Sequence, residues 1–125
     1  MKLASAVCIV TGSATGTGAA CAVQLARKGC RVVVNFTRSE SEAAATVEQC
    51  RAAGVEAIAV RADVAADADC RALAQAALDK WGRIDGLINN AGITKFAPAA
   101  DLDALDAGDF QRIYAVNVVG PYQMI

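Results

Sequence analysis

Short hydrophobic runs alternate along this chain with longer stretches in which apolar positions recur at helical spacing. The runs predict strands at residues 6–10, 31–36, 55–60 and 86–89. The first two runs are almost continuously apolar, which is typical of parallel strands covered by helices on both faces. This alternation indicates repeated βαβ units, so we predict an α/β fold with a buried parallel sheet.

The stretches between the strands predict three helices, at residues 17–28, 40–53 and 67–81. A glycine follows each of them, and glycine readily adopts the left-handed backbone that ends many helices. These glycines are Gly29, Gly54 and Gly82. Ser39, followed three residues later by Glu42, predicts a capping box at the start of the second helix.

A fourth helix is predicted to begin near Ala107, with Asp106 as its N-cap and Asp109 three residues further on. One face of this helix is apolar except for Asn117 in its middle. The apolar residues of that face are Phe110, Ile113, Tyr114, Val118 and Tyr122. We expect Pro121 to kink the helix, because proline has no amide hydrogen to donate.

Composition and charge narrow the function classes. A chain of 125 residues suffices for one compact domain and is too short for two. The net charge of −1 gives no overall positive field for nucleic acid or an anionic membrane, so we expect neither as a partner. The sequence has no histidine, which excludes Ser-His-Asp catalysis, Cys-His catalysis and imidazole-bound zinc. No metal site is expected.

The five cysteines are odd in number and include no CxxC pair. We expect them to be buried thiols of a protein from a reducing compartment. The apolar stretch near the N-terminus is too short for a signal peptide or a membrane span. The sequence therefore predicts a soluble, cytoplasmic protein.

A glycine-rich segment, TGSATGTG at residues 11–18, follows the first predicted strand and opens the first helix. This is the context of a phosphate-binding loop, with glycines for a tight turn, for close approach to a pyrophosphate and for close helix–strand packing. We predict a dinucleotide site whose candidate residues here are Gly12, Ser13, Thr15, Gly16, Thr17 and Gly18. The lysine of GxxxxGK[ST] is absent, which argues against ATP hydrolysis.

The second strand ends in NFTRS, residues 35–39. An acidic residue in this region holds the ribose 2′-hydroxyl of NAD, whereas an arginine accommodates the 2′-phosphate of NADP. Arg38 and Ser39 can both donate hydrogen bonds to a phosphate, and no carboxylate at the strand end repels it. We therefore predict NADP in preference to NAD. The alternative is that Arg38 is merely solvated and that Glu40 or Glu42 holds the ribose.

Taken together, these motifs resemble the short-chain dehydrogenases/reductases in their single-domain branch, and within it the 3-oxoacyl-(acyl carrier protein) reductases. TGSATGTG resembles the cofactor loop of that family, and NNAG at residues 89–92 is similar to its fourth-strand motif. Asn117, in NVVG, falls where the family has a catalytic-site asparagine. The resemblance implies a truncated Rossmann-like, doubly wound parallel sheet, with residues 1–125 forming the N-terminal portion of an NAD(P)-binding domain.

The resemblance also assigns roles beyond the glycine-rich loop. Asp63 and Val64 would flank the adenine, with the Asp63 carboxylate accepting from its amino group. The alternative for Asp63 is an ordinary strand-end or helix-capping residue. Asn90, Ala91 and Gly92 would line the ribose side of the cofactor, where small side chains leave room for the sugar.

Two further asparagines receive expected roles. Asn89 is expected to join neighbouring strands through its amide. An amide on an apolar helix face costs about 1–3 kcal/mol if it lacks partners. The resemblance supplies a reason for Asn117, since in the family this residue interrupts the helix and holds a water of the proton relay. The alternative is a core polar residue whose hydrogen bonds are satisfied.

The implied activity is hydride transfer between a nicotinamide and the carbonyl or alcohol carbon of a small molecule. The family uses a serine and YxxxK, but the serines here end at Ser41, the lysines end at Lys95, and no tyrosine is followed by lysine four residues later. We therefore expect the N-terminal half of a longer enzyme, inactive by itself and homo-oligomeric (dimer or tetramer) at full length. The alternative is a complete, non-catalytic dinucleotide-binding or interaction module.

Overall fold

Four strands form one parallel sheet in the computed structural model, which describes all 125 residues. They are β1 (Val7–Val10), β2 (Arg31–Phe36), β3 (Ala57–Arg61) and β4 (Gly86–Ile88), in the spatial order β3-β2-β1-β4. The register pairs Val7 with Arg31, Cys8 with Gly86, and Phe36 with Arg61. All four strands lie where the hydrophobic runs predicted them, although β3 begins and ends later in the chain than expected.

The helices fill the connections between the strands. They are α1 (Gly16–Arg27), α2 (Glu40–Ala52), α3 (Asp67–Trp81), α4 (Ala107–Tyr114) and α5 (Gly120–Met124). The three glycines predicted after the first three helices all have positive φ, at 91° for Gly29, 93° for Gly54 and 71° for Gly82. A side chain is strained in this backbone conformation, so glycine fits these helix ends.

The two central strands, β1 and β2, are buried on both faces, as expected for a doubly wound fold, whereas β3 and β4 are only partly buried. Cys8 and Val10 of β1 point into a cluster with Ala22 and Ala26 of α1. The alternate β1 side chains, Val7 and Ile9, pack on the other face with Leu73 and Ala77 of α3. The small alanines let the helices approach the sheet closely. The predicted truncated Rossmann-like α/β fold is confirmed.

The two predicted helix caps have different outcomes. Asp106 accepts a hydrogen bond from the amide of Asp109 at 2.8 Å, and Asp109 accepts one from the amide of Asp106 at 3.0 Å, so this N-terminus has a capping box. The predicted capping box of Ser39 and Glu42 is wrong. Ser39 has ψ 62° and makes no side-chain cap bond. An N-cap residue is normally in the extended β region, from which its side chain reaches the helix amides.

A π-helical segment at Ala115–Val119 separates α4 from α5 and contains Asn117. Pro121 follows it, and proline cannot donate to the carbonyl group four residues earlier, which belongs to Asn117. The predicted interruption therefore occurs as a wider helical turn. The apolar face lies largely at the surface, with Phe110 65% and Tyr122 80% exposed. None of the helices has the combination of length and hydrophobicity needed to cross a bilayer.

Candidate functional site

The main cavity, of about 440 Å³, lies at the carboxyl ends of the strands. Its lining comes from the segments that follow β1, β2 and β4, from the end of β3, and from α3, α4 and the π-helical segment. The lining residues are Gly12, Asn35, Thr37, Arg38, Arg61, Ala62, Asp63, Val64, Asp69, Asn90, Ala91, Gly92, Ile93, Arg112 and Val116. Seven of the fourteen predicted site residues, Gly12, Arg38, Asp63, Val64, Asn90, Ala91 and Gly92, are therefore brought together around this cavity.

The position of the cavity follows from the topology of the sheet. The chain passes from β1 outward to β2 and β3, then crosses back to place β4 on the other side of β1. After β1 the chain continues into α1 on one face of the sheet, whereas after β4 it leads to α5, whose Met124 packs on the opposite face, so a crevice lies where the two paths separate. In open α/β sheets, ligands bind in such a crevice at the carboxyl ends of the strands.

The glycine-rich loop presents bare backbone beside this crevice. Gly12 and Gly16 have positive φ, at 61° and 59°. A Cβ on Gly12 would lie 2.8 Å from the Cα of Ala91, whereas a Cβ on Gly16 would meet nothing within 4 Å. Gly12 thus allows the contact between the β1 and β4 loops, and Gly16 leaves open space in which a ligand can approach the backbone.

The N-terminus of α1 is available to an anion. Thr15 is its N-cap but makes no side-chain cap bond, and Thr15, Gly16 and Thr17 are all exposed. The first amides of a helix have no intrahelical acceptor and carry the positive end of the helix dipole. These residues fit a pyrophosphate, because an anion can accept from amides that no other group in the chain caps.

Two residues of the predicted loop have internal roles. The hydroxyl of Ser13 is buried, donates to the carbonyl of Val10 at 2.6 Å and accepts from the amide of Asn35 at 3.0 Å. A Cβ on Gly18 would lie 2.5 Å from the carbonyl oxygen of Gly12. Ser13 therefore holds the loop on β2, and Gly18 allows α1 to pack against the loop.

Sequence reasoning missed two polar residues that fix the site. Asn35 is 2% exposed; its Oδ1 accepts from the amide of Gly12 at 3.0 Å, and its Nδ2 donates to the carbonyl of Ala62 at 3.0 Å. The hydroxyl of Thr11 accepts from the amides of Asn90 and Ala91, each at 3.0 Å. Asn35 could have been identified from the sequence, because it is a polar residue in an otherwise apolar strand and a buried amide needs hydrogen-bond partners.

The loop after β4 is held by Asn90 rather than Asn89. The Asn90 Nδ2 donates to the carbonyls of Thr11 at 3.0 Å and Gly12 at 2.9 Å. Asn89 is exposed, and its side chain reaches only the carbonyl of Pro121, at 3.5 Å. The expectation that Asn89 joins neighbouring strands is wrong. The strand ends at Ile88, and it is Asn90 that lies beside the β1 loop.

The end of β2 places a free arginine in the cavity lining. Arg38 is exposed and lines the cavity together with Thr37, whereas Ser39 is half-buried and lies outside the lining. The carboxylate of Glu40 faces Arg61, with 3.5 Å between the Arg61 Nη2 and the Glu40 Oε2. The nearest acidic residue after β2 is therefore already paired with a cation.

Asp63 and Val64 lie just after the end of β3. The Asp63 Oδ1 accepts from the amide of Ala65 at 3.0 Å, and the Asp63 amide donates to Asp69 at 2.9 Å. This carboxylate stabilises the strand-end turn while also lining the cavity. Val64 is buried, and a Cβ on Gly120 would lie 2.7 Å from its Cγ2, so glycine is needed there.

Asn117 is bonded through both side-chain polar atoms to one residue of the β4 loop. Its Oδ1 accepts from the Ile93 amide at 2.8 Å, and its Nδ2 donates to the Ile93 carbonyl at 2.9 Å. The helix carrying Asn117 is thereby joined to the loop that lines the cavity. Asn117 is exposed, lies outside the cavity lining and has partners for both polar atoms, so the cost of an unpaired buried amide does not arise.

Ion pairs fix two neighbouring segments. Hydrogen bonds from Arg83, and then one from the Val7 amide, hold the pKa of Asp85 below its usual range. Lys95 and Asp109 lie 2.8 Å apart; their hydrogen bond raises the pKa of Lys95 and lowers that of Asp109. The second pair connects the β4 loop to the first turn of α4. No three His, Cys, Asp or Glu side chains are grouped so as to hold a metal ion.

Similarity to known proteins agrees with this geometry. Residues 6–125 match the family described as short chain dehydrogenase. The chain is 42% identical over 104 residues to YusS, a short-chain dehydrogenase/reductase homolog of Bacillus subtilis, an alignment covering 83% of this chain and 95% of YusS. It is 44% identical over 117 residues to a protein assigned as ketoacyl reductase 2 of the granaticin polyketide synthase of Streptomyces violaceoruber, covering 94% of this chain and 45% of that protein.

A solved structure extends the comparison to three dimensions. The crystal structure of a short-chain dehydrogenase/reductase from Burkholderia phymatum in complex with NAD is 35% identical, with a TM-score of 0.89. The superposition covers 99% of this chain and 43% of that one. The chain thus spans about half the length of the Streptomyces and Burkholderia proteins and nearly all of YusS. On these grounds the chain belongs to the short-chain dehydrogenase/reductase family, whose members are NAD(P)-dependent oxidoreductases.

Proposed function

We propose that these 125 residues form the NADP-binding N-terminal portion of an oxidoreductase acting on a carbonyl or alcohol group of a small molecule. One observation carries the cofactor choice: Arg38 lines the cavity after β2, while Glu40, the nearest carboxylate after that strand, is engaged by Arg61. An exposed guanidinium whose nearest carboxylate in sequence is paired with another cation favours a phosphorylated ribose over a free 2′-hydroxyl.

The proposed contacts distribute the dinucleotide along the carboxyl edge of the sheet. The amides at the start of α1, from Thr15 to Gly18, would hold the pyrophosphate, with Gly12 and Ser13 shaping the turn. Arg38 and Ser39 would hold the 2′-phosphate, while Asp63 and Val64 would flank the adenine. The ribose side would contact the backbone of the β4 loop at Asn90, Ala91 and Gly92.

Asn117 is proposed to act in the proton relay by holding a water at the nicotinamide end of the cavity. Its double hydrogen bond to Ile93 supports this role, because it fixes the interrupted helix beside the lining of the cavity. When bound, the cofactor supplies or accepts the hydride. The residues of this chain orient it and contribute no proton donor of the YxxxK type, since no tyrosine here is followed by lysine four residues later.

The substrate class and the wider assembly are also proposals. Similarity to a ketoacyl reductase supports a carbonyl substrate. The exposed aromatic side chains of Phe110, Tyr114 and Tyr122 support a homo-oligomer, dimer or tetramer, of the full-length protein. Five cysteines without a disulfide support a reducing, cytoplasmic location.

Titration calorimetry with NADPH and NADH tests the cofactor proposal. The chain should bind NADPH more tightly, and Arg38→Ala should weaken NADPH binding about tenfold while changing NADH binding less than about twofold. Arg27→Ala is the matched control, because Arg27 is exposed in the last turn of α1, away from the cavity. Equal losses for the two cofactors, or tighter binding of NADH by the unaltered chain, would contradict the proposal.

Catalysis is tested separately. The purified 125-residue chain should bind NADPH without reducing ketones, because removing an acid/base typically costs about 10²–10⁴-fold or more in rate. Ketone turnover by this chain would sink that expectation. The alternative, a non-catalytic dinucleotide-binding module, is separated by the gene's reading frame. A serine and YxxxK encoded downstream support the enzyme, and a stop codon directly after Ile125 supports the module.

A further inference from the structure

We propose that Arg61 is a second specificity-determining residue of the cofactor site. In this role Arg61 would neutralise Glu40 and supply a second guanidinium to the 2′-phosphate. This inference rests on the proposed binding of NADP. Arg61 is the last residue of β3, whereas the sequence pattern predicts contacts to the 2′-phosphate only from residues after β2.

The sheet register brings Arg61 to the 2′-phosphate side of the site. Arg61 is paired in register with Phe36, the last residue of β2, so the residues after Phe36 emerge beside it. Those residues are Thr37 and Arg38, and all three line the same cavity. Two arginines from neighbouring strand ends therefore line the same cavity.

The Arg61 guanidinium lies over a buried aromatic ring. Its guanidinium carbon lies 5.5 Å from the centre of the Phe36 ring, and Phe36 is 6% exposed. Stacking on an aromatic face leaves the edges of a guanidinium free to donate, and it limits the side-chain freedom that would be lost on binding. The guanidinium is thus positioned to bind an anion without giving up its stacking contact.

The ion pair between Glu40 and Arg61 is weak. The closest oxygen and nitrogen of the pair are 3.5 Å apart, and the two side chains are 64% (Arg61) and 76% (Glu40) exposed. An exposed pair at this separation contributes little, and a phosphate with nearly two negative charges competes well for the same donors. In the absence of a phosphate, the Arg61 guanidinium competes with the 2′-hydroxyl of an unphosphorylated ribose for the Glu40 carboxylate.

The test uses two probes that differ only in the group of interest, 2′,5′-ADP and 5′-AMP, each titrated into the 125-residue chain. Arg61→Ala should weaken 2′,5′-ADP binding about fivefold and leave 5′-AMP binding within about twofold. Arg61→Lys should fall between, because it keeps the charge but loses the planar fork. Glu40→Gln should strengthen 2′,5′-ADP binding about twofold, because it removes a competing carboxylate.

Arg31→Ala is the matched control. Arg31 begins β2 at the opposite end of the sheet and pairs with Glu56 at 3.7 Å, so it reproduces a strand-end ion pair outside the cavity. Equal losses of both probes in Arg61→Ala would overturn the role of Arg61, as would an unchanged preference for 2′,5′-ADP in both Arg61 variants. If the unaltered chain shows no preference for 2′,5′-ADP, the proposed NADP function itself fails, which is a distinguishable result. If Arg61→Ala does not fold, the expected twofold stronger binding of 2′,5′-ADP by Glu40→Gln still tests the proposal.

Discussion

The side-chain nitrogen of Asn90 donates to the carbonyl oxygen of Gly12 at 2.9 Å, and so joins two loops that are 78 residues apart in the chain. A second bond from the same nitrogen reaches the carbonyl of Thr11 at 3.0 Å. The glycine-rich turn and the β4 loop consequently form one surface before any ligand arrives. Such preorganisation lowers the conformational cost of binding.

Replacing Asn90 by alanine should therefore reduce both stability and cofactor affinity. Two part-buried backbone carbonyls, of Thr11 and Gly12, would lose their side-chain donor, which corresponds to about 1–3 kcal/mol in the free energy of unfolding. Urea unfolding monitored by circular dichroism measures this loss. Asn89→Ala is the control, since its exposed side chain makes one 3.5 Å contact. Equal destabilisation of the two variants would refute the proposed division of roles.

Gly18→Ala should be among the most damaging glycine substitutions in the chain. The added Cβ would lie 2.5 Å from the Gly12 carbonyl oxygen and 2.9 Å from the Cα of Ser13, and both atoms belong to backbone that cannot yield easily. Overpacking of this kind costs about 1–3 kcal/mol. Gly108→Ala, in the first turn of α4, meets only the Asp106 carboxylate at 3.2 Å and serves as control. Thermal unfolding should show a clearly lower midpoint for Gly18→Ala alone.

Stability should fall in acid as Asp85 becomes protonated. The pKa of this carboxyl is lower in the folded state because Arg83 and the Val7 amide bind its charged form. Its contribution is therefore complete above the unfolded value, about 3.9, and disappears as the pH falls through the folded value.

Thermal unfolding of Asp85→Asn should show a lower midpoint at neutral pH and a shallower decline in acid than the unaltered chain. Asp109 also has a lowered pKa, owing first to Lys95, so part of the acid decline should remain. Asp103→Asn is the control, because the Asp103 side chain is exposed and forms no ion pair. An unchanged acid decline in Asp85→Asn would contradict this assignment.

Only Cys21 should react rapidly with a thiol reagent at about pH 8. The other four cysteines are buried. Burial, followed by the neighbouring Cys30, raises the pKa of Cys8 to about 12, and burial also raises the pKa values of Cys50 and Cys70. The thiolate is the reacting form, so these thiols should be inert until the chain unfolds.

Counting thiols with a chromogenic disulfide before and after unfolding in guanidinium checks this expectation. Cys21→Ser should abolish the fast phase, whereas Cys50→Ser should leave it intact. Two or more fast thiols in the native chain would show that the buried cysteines are more accessible than their surroundings indicate.

The order and type of the elements could be predicted because their signals are local. Continuous apolar runs marked β1 and β2, and the glycines after the first three helices adopt the left-handed backbone their positions suggested. The Ser39 cap did not form because the backbone makes a tight local turn there. Ser39 has φ −87° and ψ 62°, and the Glu40 amide donates to the Arg38 carbonyl at 3.1 Å, a conformation outside the extended region that suits an N-cap.

The site was predictable only in part. Seven of its predicted residues line the cavity, since motif spacing fixes which residues follow each strand. Motif spacing does not determine whether a polar side chain faces a ligand, the solvent or a neighbouring loop. This is seen at Ser13, Asn89 and Asn90. The sequence did not predict a role for Arg61, because its position beside the segment of Arg38 depends on the pairing of β2 with β3.

The sequence by itself determined the α/β order, the phosphate-binding context of the glycine-rich turn and the absence of histidine and YxxxK. Each of these properties is carried by neighbouring residues or by composition. Tertiary structure decided which asparagine joins the loops, which arginines line the cavity and which cysteine stays accessible. Those outcomes depend on strand register and on packing between distant segments, where a shift of one residue would direct a side chain to the opposite face.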